Sequence, residues 1–113
     1  MRIIVRTLLP SDHNFIFATY LRNRYFDKAN KTTLKRSTWS AMQHKRLEAI
    51  MTNDKVFVAC LDEDQDTILG YSLMDGLEPY TYVKLAWRST GLNIANTLLK
   101  ELTNANSNTR STN

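Results

Sequence analysis

The sequence predicts a small α/β (α+β) domain, a mixed but mostly antiparallel sheet flanked by helices, and three observations predict it. Apolar, β-branched runs and stretches of helical periodicity follow one another in the order strand, two helices, three strands, helix. Two of the strand runs are separated only by a short acidic turn, which makes them an antiparallel hairpin. At 113 residues, 42% hydrophobic and 23% charged, the chain has material for one core and not for a second domain.

Each element has its own signal. Arg2 to Leu8 (RIIVRTL) reads as the first strand, ended by Pro10-Ser11-Asp12. Ser11 or Asp12 offers a side-chain oxygen to the unpaired amides of a following helix, in which Phe17, Leu21 and Tyr25, with Ala18 beside them, form an apolar face through about Phe26. Asp27 to Thr33 suits a loop. Ser37 then caps a second helix through about Thr52, with Trp39, Met42, Leu47 and Ile50 on its buried side and His44, Lys45 and Arg46 at the surface. Lys55 to Leu61 (KVFVACL) is continuously apolar, as in a strand covered on both faces. Beyond the turn Asp62 to Asp66, Thr67 to Met74 (TILGYSLM) returns as the hairpin's second arm, where Gly70 marks a bulge or a close backbone approach. After a break at Asp75 to Pro79, Tyr80 to Ala86 (YTYVKLA) alternates as a fourth strand. Gly91 to about Asn104 places Ile94, Ala95, Leu98, Leu99 and Leu102 on one helical face. The folded domain is thus 2–104, and the polar stretch 105–113 reads as a disordered tail.

Composition narrows the function classes. The net charge of +4 and a pI near 9.4 suggest affinity for something anionic. Six bases fall between Arg22 and Arg36 against the single acid Asp27, a run that reads first as a solvated helix end and loop and second as a phosphate-attracting rim. Nucleic-acid binding through that run is the weakest reading, because Tyr20, Tyr25 and Phe26 have core spacing. The single cysteine, Cys60, sits in an apolar run and packs as a small hydrophobe; no disulfide can form within the chain. No segment approaches the length of a membrane span, and MRIIVRT has no signal core, so a cytoplasmic protein is expected. With two distant histidines and one cysteine, no metal site is expected.

The segment that carries chemistry is Tyr82 to Leu99, YVKLAWRSTGLNIANTLL. A strand runs into a short loop, Arg88-Ser89-Thr90-Gly91, and then into a helix. The first amides of a helix lack acceptors and sit at the positive end of its dipole, so such a junction can hold a phosphate. Glycine admits the backbone to the anion, and Ser89 and Thr90 add hydroxyl donors. Arg88 and Gly91 match the first and fourth positions of Q/R-x-x-G-x-G/A, the acetyl-CoA diphosphate motif of the GNAT-type N-acetyltransferases, which this chain resembles from Arg2 to about Leu102. YVKLAWR is similar to the V-x-P-x-[YF]-R that precedes the motif, with Leu85 for proline. LPSDHNFIFATYL and CLDEDQDTILGY resemble the opening helix and the hairpin of phage-encoded members.

The resemblance implies a GNAT-like fold truncated after its motif helix, with acetyl-CoA as the cofactor. Tyr82 and Val83 would bond the pantetheine and acetyl carbonyl through their backbones, and amides from Ser89 through Asn93 would cradle the diphosphate, with Arg88 at the loop entry. Asn93 stands where the family has a second small residue; a second register reads Asn93-Ile94-Ala95 as the family's G-I-A, with two residues inserted after Gly91. The family's fifth strand and its later tyrosine acid would be absent or supplied by a second chain. Asp75 and Glu78 are the carboxylates available as a base, in a stretch where acids are common turn formers, so no catalytic residue is assigned. Two functions remain open. One is a binding module that docks on a host protein; the other is an acetyl-CoA-dependent N-acetyltransferase completed by homodimerisation.

Overall fold

The computed structural model describes residues 2–27, 30–53 and 55–111, without the side chains of Asn53 and of 106–111. Four strands form one sheet in the order β1 (Ile3–Thr7), β2 (Phe57–Leu61), β3 (Asp64–Asp75), β4 (Glu78–Val83), and every pairing is antiparallel. A 3-10 turn, Pro10–Asp12, leads into α1 (His13–Tyr25), followed by α2 (Arg36–Asn53); a second 3-10 turn, Leu85–Trp87, precedes α3 (Ile94–Ser111). The boundary expected near Asn104 falls inside α3, and side chains beyond Ala105 lie outside the described residues.

Two clusters hold these layers together. On one face α1 and α2 bury Ile16, Tyr20, Leu47 and Ile50 against Val58, Tyr71 and Leu73. On the other, Ile94 and Leu98 of α3 meet Ala59, Leu69 and Val83. β2 is therefore sandwiched, with Val58, Ala59 and Cys60 fully buried, as its unbroken apolar run requires. Cys60 is free and buried.

The helix faces differ in detail from the periodicity. In α1 the inward residues are Ile16, Thr19 and Tyr20, one position before the expected stripe; Phe17 and Leu21 are half-buried, and Ala18 is exposed. Thr19 can turn inward because its hydroxyl is satisfied, by the Phe15 carbonyl at 2.8 Å and the Tyr71 hydroxyl at 2.6 Å. In α2 Met42 is 60% exposed and Met51 takes the buried place. Asp12 does not cap α1 with its side chain. Its carboxylate instead accepts from the two terminal guanidinium nitrogens of Arg6, at 2.7 and 3.0 Å, and from the Leu9 amide at 2.8 Å. Arg6 also donates to the Gln65 carbonyl at 2.9 Å, tying the start of α1 to the β2–β3 hairpin.

β4 begins at Glu78, earlier than expected, with Pro79 inside it, and stops at Val83 rather than Ala86. Proline fits there because the strand is an edge and the nitrogen that cannot donate faces away from β3. Gly70, paired with Val83, is a close approach: a Cβ there would stand 2.4 Å from the Tyr82 carbonyl oxygen. A register shift in the β2–β3 ladder lies beside it, between Ala59 and Cys60.

Candidate functional site

The Lys84 amide donates to the Leu69 carbonyl at 2.8 Å. By the alternation of an antiparallel ladder, Tyr82 then also turns its peptide groups toward β3, and Thr81 and Val83 turn theirs to the open edge. The Tyr82 ring points to the α1 side, beside Phe15 and Tyr71. After Val83 the backbone tightens: Trp87 donates to the Lys84 carbonyl at 2.9 Å, and the Thr90 hydroxyl donates to the Trp87 carbonyl at 3.0 Å. Arg88 folds back, its Nε donating to the Val83 carbonyl at 2.7 Å. Two residues then take left-handed backbone, Gly91 (φ 77°) and Asn93 (φ 53°), and α3 starts at Ile94.

The helix therefore begins three residues after Gly91, not at it. Its first full-turn bond runs from the Thr97 amide to the Asn93 carbonyl, at 3.0 Å, so the amides of Ile94, Ala95 and Asn96 have no intrahelical acceptor. These residues, with Val83, Trp87, Arg88, Gly91 and Asn93, line an open pocket of about 240 Å³. Of the seven residues expected to bind a cofactor, the structure brings Val83, Arg88, Gly91 and Asn93 together; Tyr82, Ser89 and Thr90 are not in the lining. Nothing lies within 4 Å of the place a Gly91 Cβ would occupy. Asn93 holds the glycine-like conformation directly before the helix, a conformation asparagine tolerates better than most residues. That geometry fits the register in which Asn93-Ile94-Ala95 stands for G-I-A. Ile94 and Ala95 were legible through that register; Trp87 and Asn96 carried no signal.

The expected carboxylates are far from this pocket. Asp75 and Glu78 pair across the β3–β4 turn, five residues along β4 from Val83, roughly 17 Å in extended chain. Asp75 is held by the Tyr20 hydroxyl (2.7 Å), Arg24 (2.7 Å) and Arg46, and Arg46 also donates to the Tyr20 hydroxyl at 3.1 Å. Burial alone would raise its pKa, but the hydrogen bonds from Tyr20 and Arg46 and the charges of Arg46 and Arg24 outweigh it and leave the carboxyl below its ordinary range. A carboxylate so stabilised is a weak base. Sequence reasoning missed this cluster because its members come from α1, α2 and β3, with no local pattern to join them.

Other expected features are distributed. Of the basic run, Arg24 joins Asp75, Arg36 lies over the Phe26 ring at 5.2 Å, Arg22, Lys31 and Lys35 are exposed, and Lys28 lies outside the described residues. His44 is not isolated: it stacks on Phe17 at 4.1 Å. Among the described residues no helix is long and apolar enough to cross a membrane.

No protein-family model matches the sequence, and no curated protein sequence does either. Solved structures do match in fold. An N-acetyltransferase from Staphylococcus aureus Mu50 superposes with a TM-score of 0.56 at 18% identity, over 90% of this chain and 64% of its own. The protein yncA of Salmonella typhimurium, in a structure with its cofactor acetyl-CoA, gives 0.55 at 18%, over 90% and 61%. A ribosomal-protein-alanine N-acetyltransferase from Brucella melitensis gives 0.58 at 22%, over 90% and 65%. At these identities the likeness establishes the fold alone: the sheet and helices are arranged as in these N-acetyltransferase structures, the fold the resemblance implied. The chain spans 61–65% of the length of these structures.

Proposed function

We propose that this chain, built on an N-acetyltransferase fold, binds the diphosphate of acetyl-CoA or a related coenzyme A thioester where β4 passes into α3, and serves as a binding module that docks on a protein partner. The observation that carries the reading is one open pocket lined by Arg88, Gly91 and the first residues of α3, Ile94, Ala95 and Asn96, whose amides have no intrahelical acceptor. The donor set fits an anion. At about 240 Å³ the pocket fits a diphosphate rather than a whole cofactor, so the pantetheine arm would lie along the open edge, where Thr81 and the Val83 amide remain available. The Val83 carbonyl is already taken by Arg88, which leaves that arm fewer contacts.

The bound group would supply an activated acetyl thioester; this chain's part is to hold and orient it. Asp75 is pinned by two arginines and is a weak base, which favours binding over self-contained catalysis; Glu78 lies toward the end of β4 along which the thioester arm would run. Leu85 and Leu92, 76% and 49% exposed on the segment that frames the pocket, give a protein partner apolar surface to cover.

Calorimetric titration with coenzyme A and acetyl-CoA tests the reading. Saturable heat is expected, and Arg88→Ala should weaken it about tenfold to hundredfold, the loss of one charged hydrogen-bonding group. Absence of heat at millimolar ligand removes the proposal. The second reading, an N-acetyltransferase, is favoured by the activity described for two of the structural neighbours. It requires release of free coenzyme A thiol in the presence of an amine, which the binding reading does not.

A further inference from the structure

The sheet has two open margins, and they are built differently. On β4 the outward groups belong to Pro79, Thr81 and Val83; Pro79 has no N–H, and the Val83 carbonyl is bonded by Arg88. Such an edge is blunted at both ends against strand addition. On β1, the Leu8 amide donates to the Val56 carbonyl at 3.1 Å and the Asp62 amide to the Arg2 carbonyl at 2.9 Å, so even-numbered residues face β2. Ile3, Val5 and Thr7 therefore direct their N–H and C=O groups outward. Thr7's carbonyl accepts from Arg6 at 3.2 Å; among the described residues no hydrogen bond reaches the outward groups of Ile3 or Val5. No proline interrupts this strand, and its one cation, Arg6, is committed to Asp12 and the Gln65 carbonyl.

We infer that β1 is a self-pairing edge: two copies of this chain join antiparallel through Ile3–Thr7 about a two-fold axis at Val5, making one continuous sheet from two. The strand's own sequence argues for a second copy. In that register Ile3 stands opposite Thr7 of the partner subunit, Val5 opposite Val5 of the partner subunit and Ile4 opposite Arg6 of the partner subunit. β-branched residues thus meet one another and no like charges are opposed. Of the roughly six peptide hydrogen bonds that three outward pairs exchange, about four join groups with no other hydrogen bond, and two end on the Thr7 carbonyls, which keep a second lone pair beside the long Arg6 contact. The half-buried Ile3 and Val5 side chains, at the margin of the α3 cluster, gain cover on the same face. The contact is isologous, so it closes at two copies. It is independent of cofactor binding and leaves the β4 pocket open.

Sedimentation velocity of the full chain, with amide hydrogen exchange, tests the inference. The mass should double as concentration rises, and exchange at Ile3 and Val5 should slow about tenfold or more in the dimer while Thr81 and Val83 stay unchanged. Thr7→Pro removes one outward donor and breaks no bond within the chain. It should keep the circular dichroism spectrum and remain monomeric. A chain that is monomeric at every concentration overturns the proposal, as does a dimer whose protection appears at Thr81 and Val83. Because the exchange pattern is read on the unmodified chain, the test stands even if Thr7→Pro fails to fold. A different protein pairing with β1 would leave the purified chain at monomer mass, which also counts against self-pairing.

Discussion

Replacing Gly70 with alanine probes the tightest contact in the sheet, and the two forces involved have opposite signs. The glycine is not in left-handed backbone, so the conformation itself accepts alanine, and the stiffer unfolded chain should add about 0.4–1 kcal/mol of stability. Against this, the new Cβ would stand 2.4 Å from the Tyr82 carbonyl oxygen, 3.2 Å from Val83 Cα and 3.3 Å from Val83 Cγ2. The first two are backbone atoms of the paired strand, so no side chain can swing aside. β4 must shift by about 0.6 Å to restore even the shortest tolerable separation, and overpacking of that kind costs about 1–3 kcal/mol. The net expectation is a loss of about 1–2 kcal/mol, or a melting temperature lower by roughly 5–15 °C for a domain of this size. Thermal and urea unfolding followed by far-ultraviolet circular dichroism give the number, with the denaturant slope expected to hold. A variant as stable as the parent, or more stable, would refute the claim that β3 and β4 approach too closely for a side chain.

Further expectations follow from the same geometry. Asp12→Asn should cost about 3–5 kcal/mol in urea unfolding, because it leaves the mostly buried Arg6 guanidinium without its carboxylate; a loss under about 1 kcal/mol would show the pair to be idle. Burial alone would raise the Asp12 pKa, but hydrogen bonds from Arg6 and the Leu9 amide bring it below its ordinary 3.8. Its contribution is therefore complete above the unfolded-state value and disappears as pH falls through the lower folded-state value; an acid-unfolding curve of Asp12→Asn should lack that phase. Asn93→Ala should cost about 1 kcal/mol for forcing a plain side chain into left-handed backbone, whereas Asn93→Gly should stay within about 0.5 kcal/mol; equal effects would show the loop to be unstrained. Tyr71→Phe leaves the inward-facing Thr19 hydroxyl only its local carbonyls and should cost about 1 kcal/mol by thermal unfolding, and no change would mean that contact adds nothing.

The element order was legible because each strand and helix carries its own period: the β2 run is apolar without a break, and Ile94, Leu98 and Leu102 repeat at helical spacing. Boundaries were less so. Proline usually ends a strand, and nothing local shows that Pro79 lies on an edge whose outward nitrogen has no duty. The α1 face was displaced by one residue because Thr19 counts as polar in a sequence but is satisfied by Tyr71, a residue 52 positions away. At the pocket, Arg88 and Gly91 announced themselves through their motif. Asn93 was ambiguous, since its identity says nothing of its backbone conformation until the helix start is known. The Asp75 cluster was invisible for the same reason as Thr19: its partners are contiguous only in space.

That contrast governs how the molecule can change. The pocket is lined by one unbroken stretch, Val83 to Asn96, shaped by the Arg88–Val83 bond, the Thr90–Trp87 bond and two left-handed residues, and seated on β2 and β3 through the Lys84–Leu69 bond and the packing of Val83 and Ile94. None of those anchors belongs to α2, and the cluster that seats the loop lies on the opposite face of the sheet from α1 and α2. Substitutions on α1 or α2 can drift, and the opposite face can acquire a new role, without disturbing the turn that faces the anion.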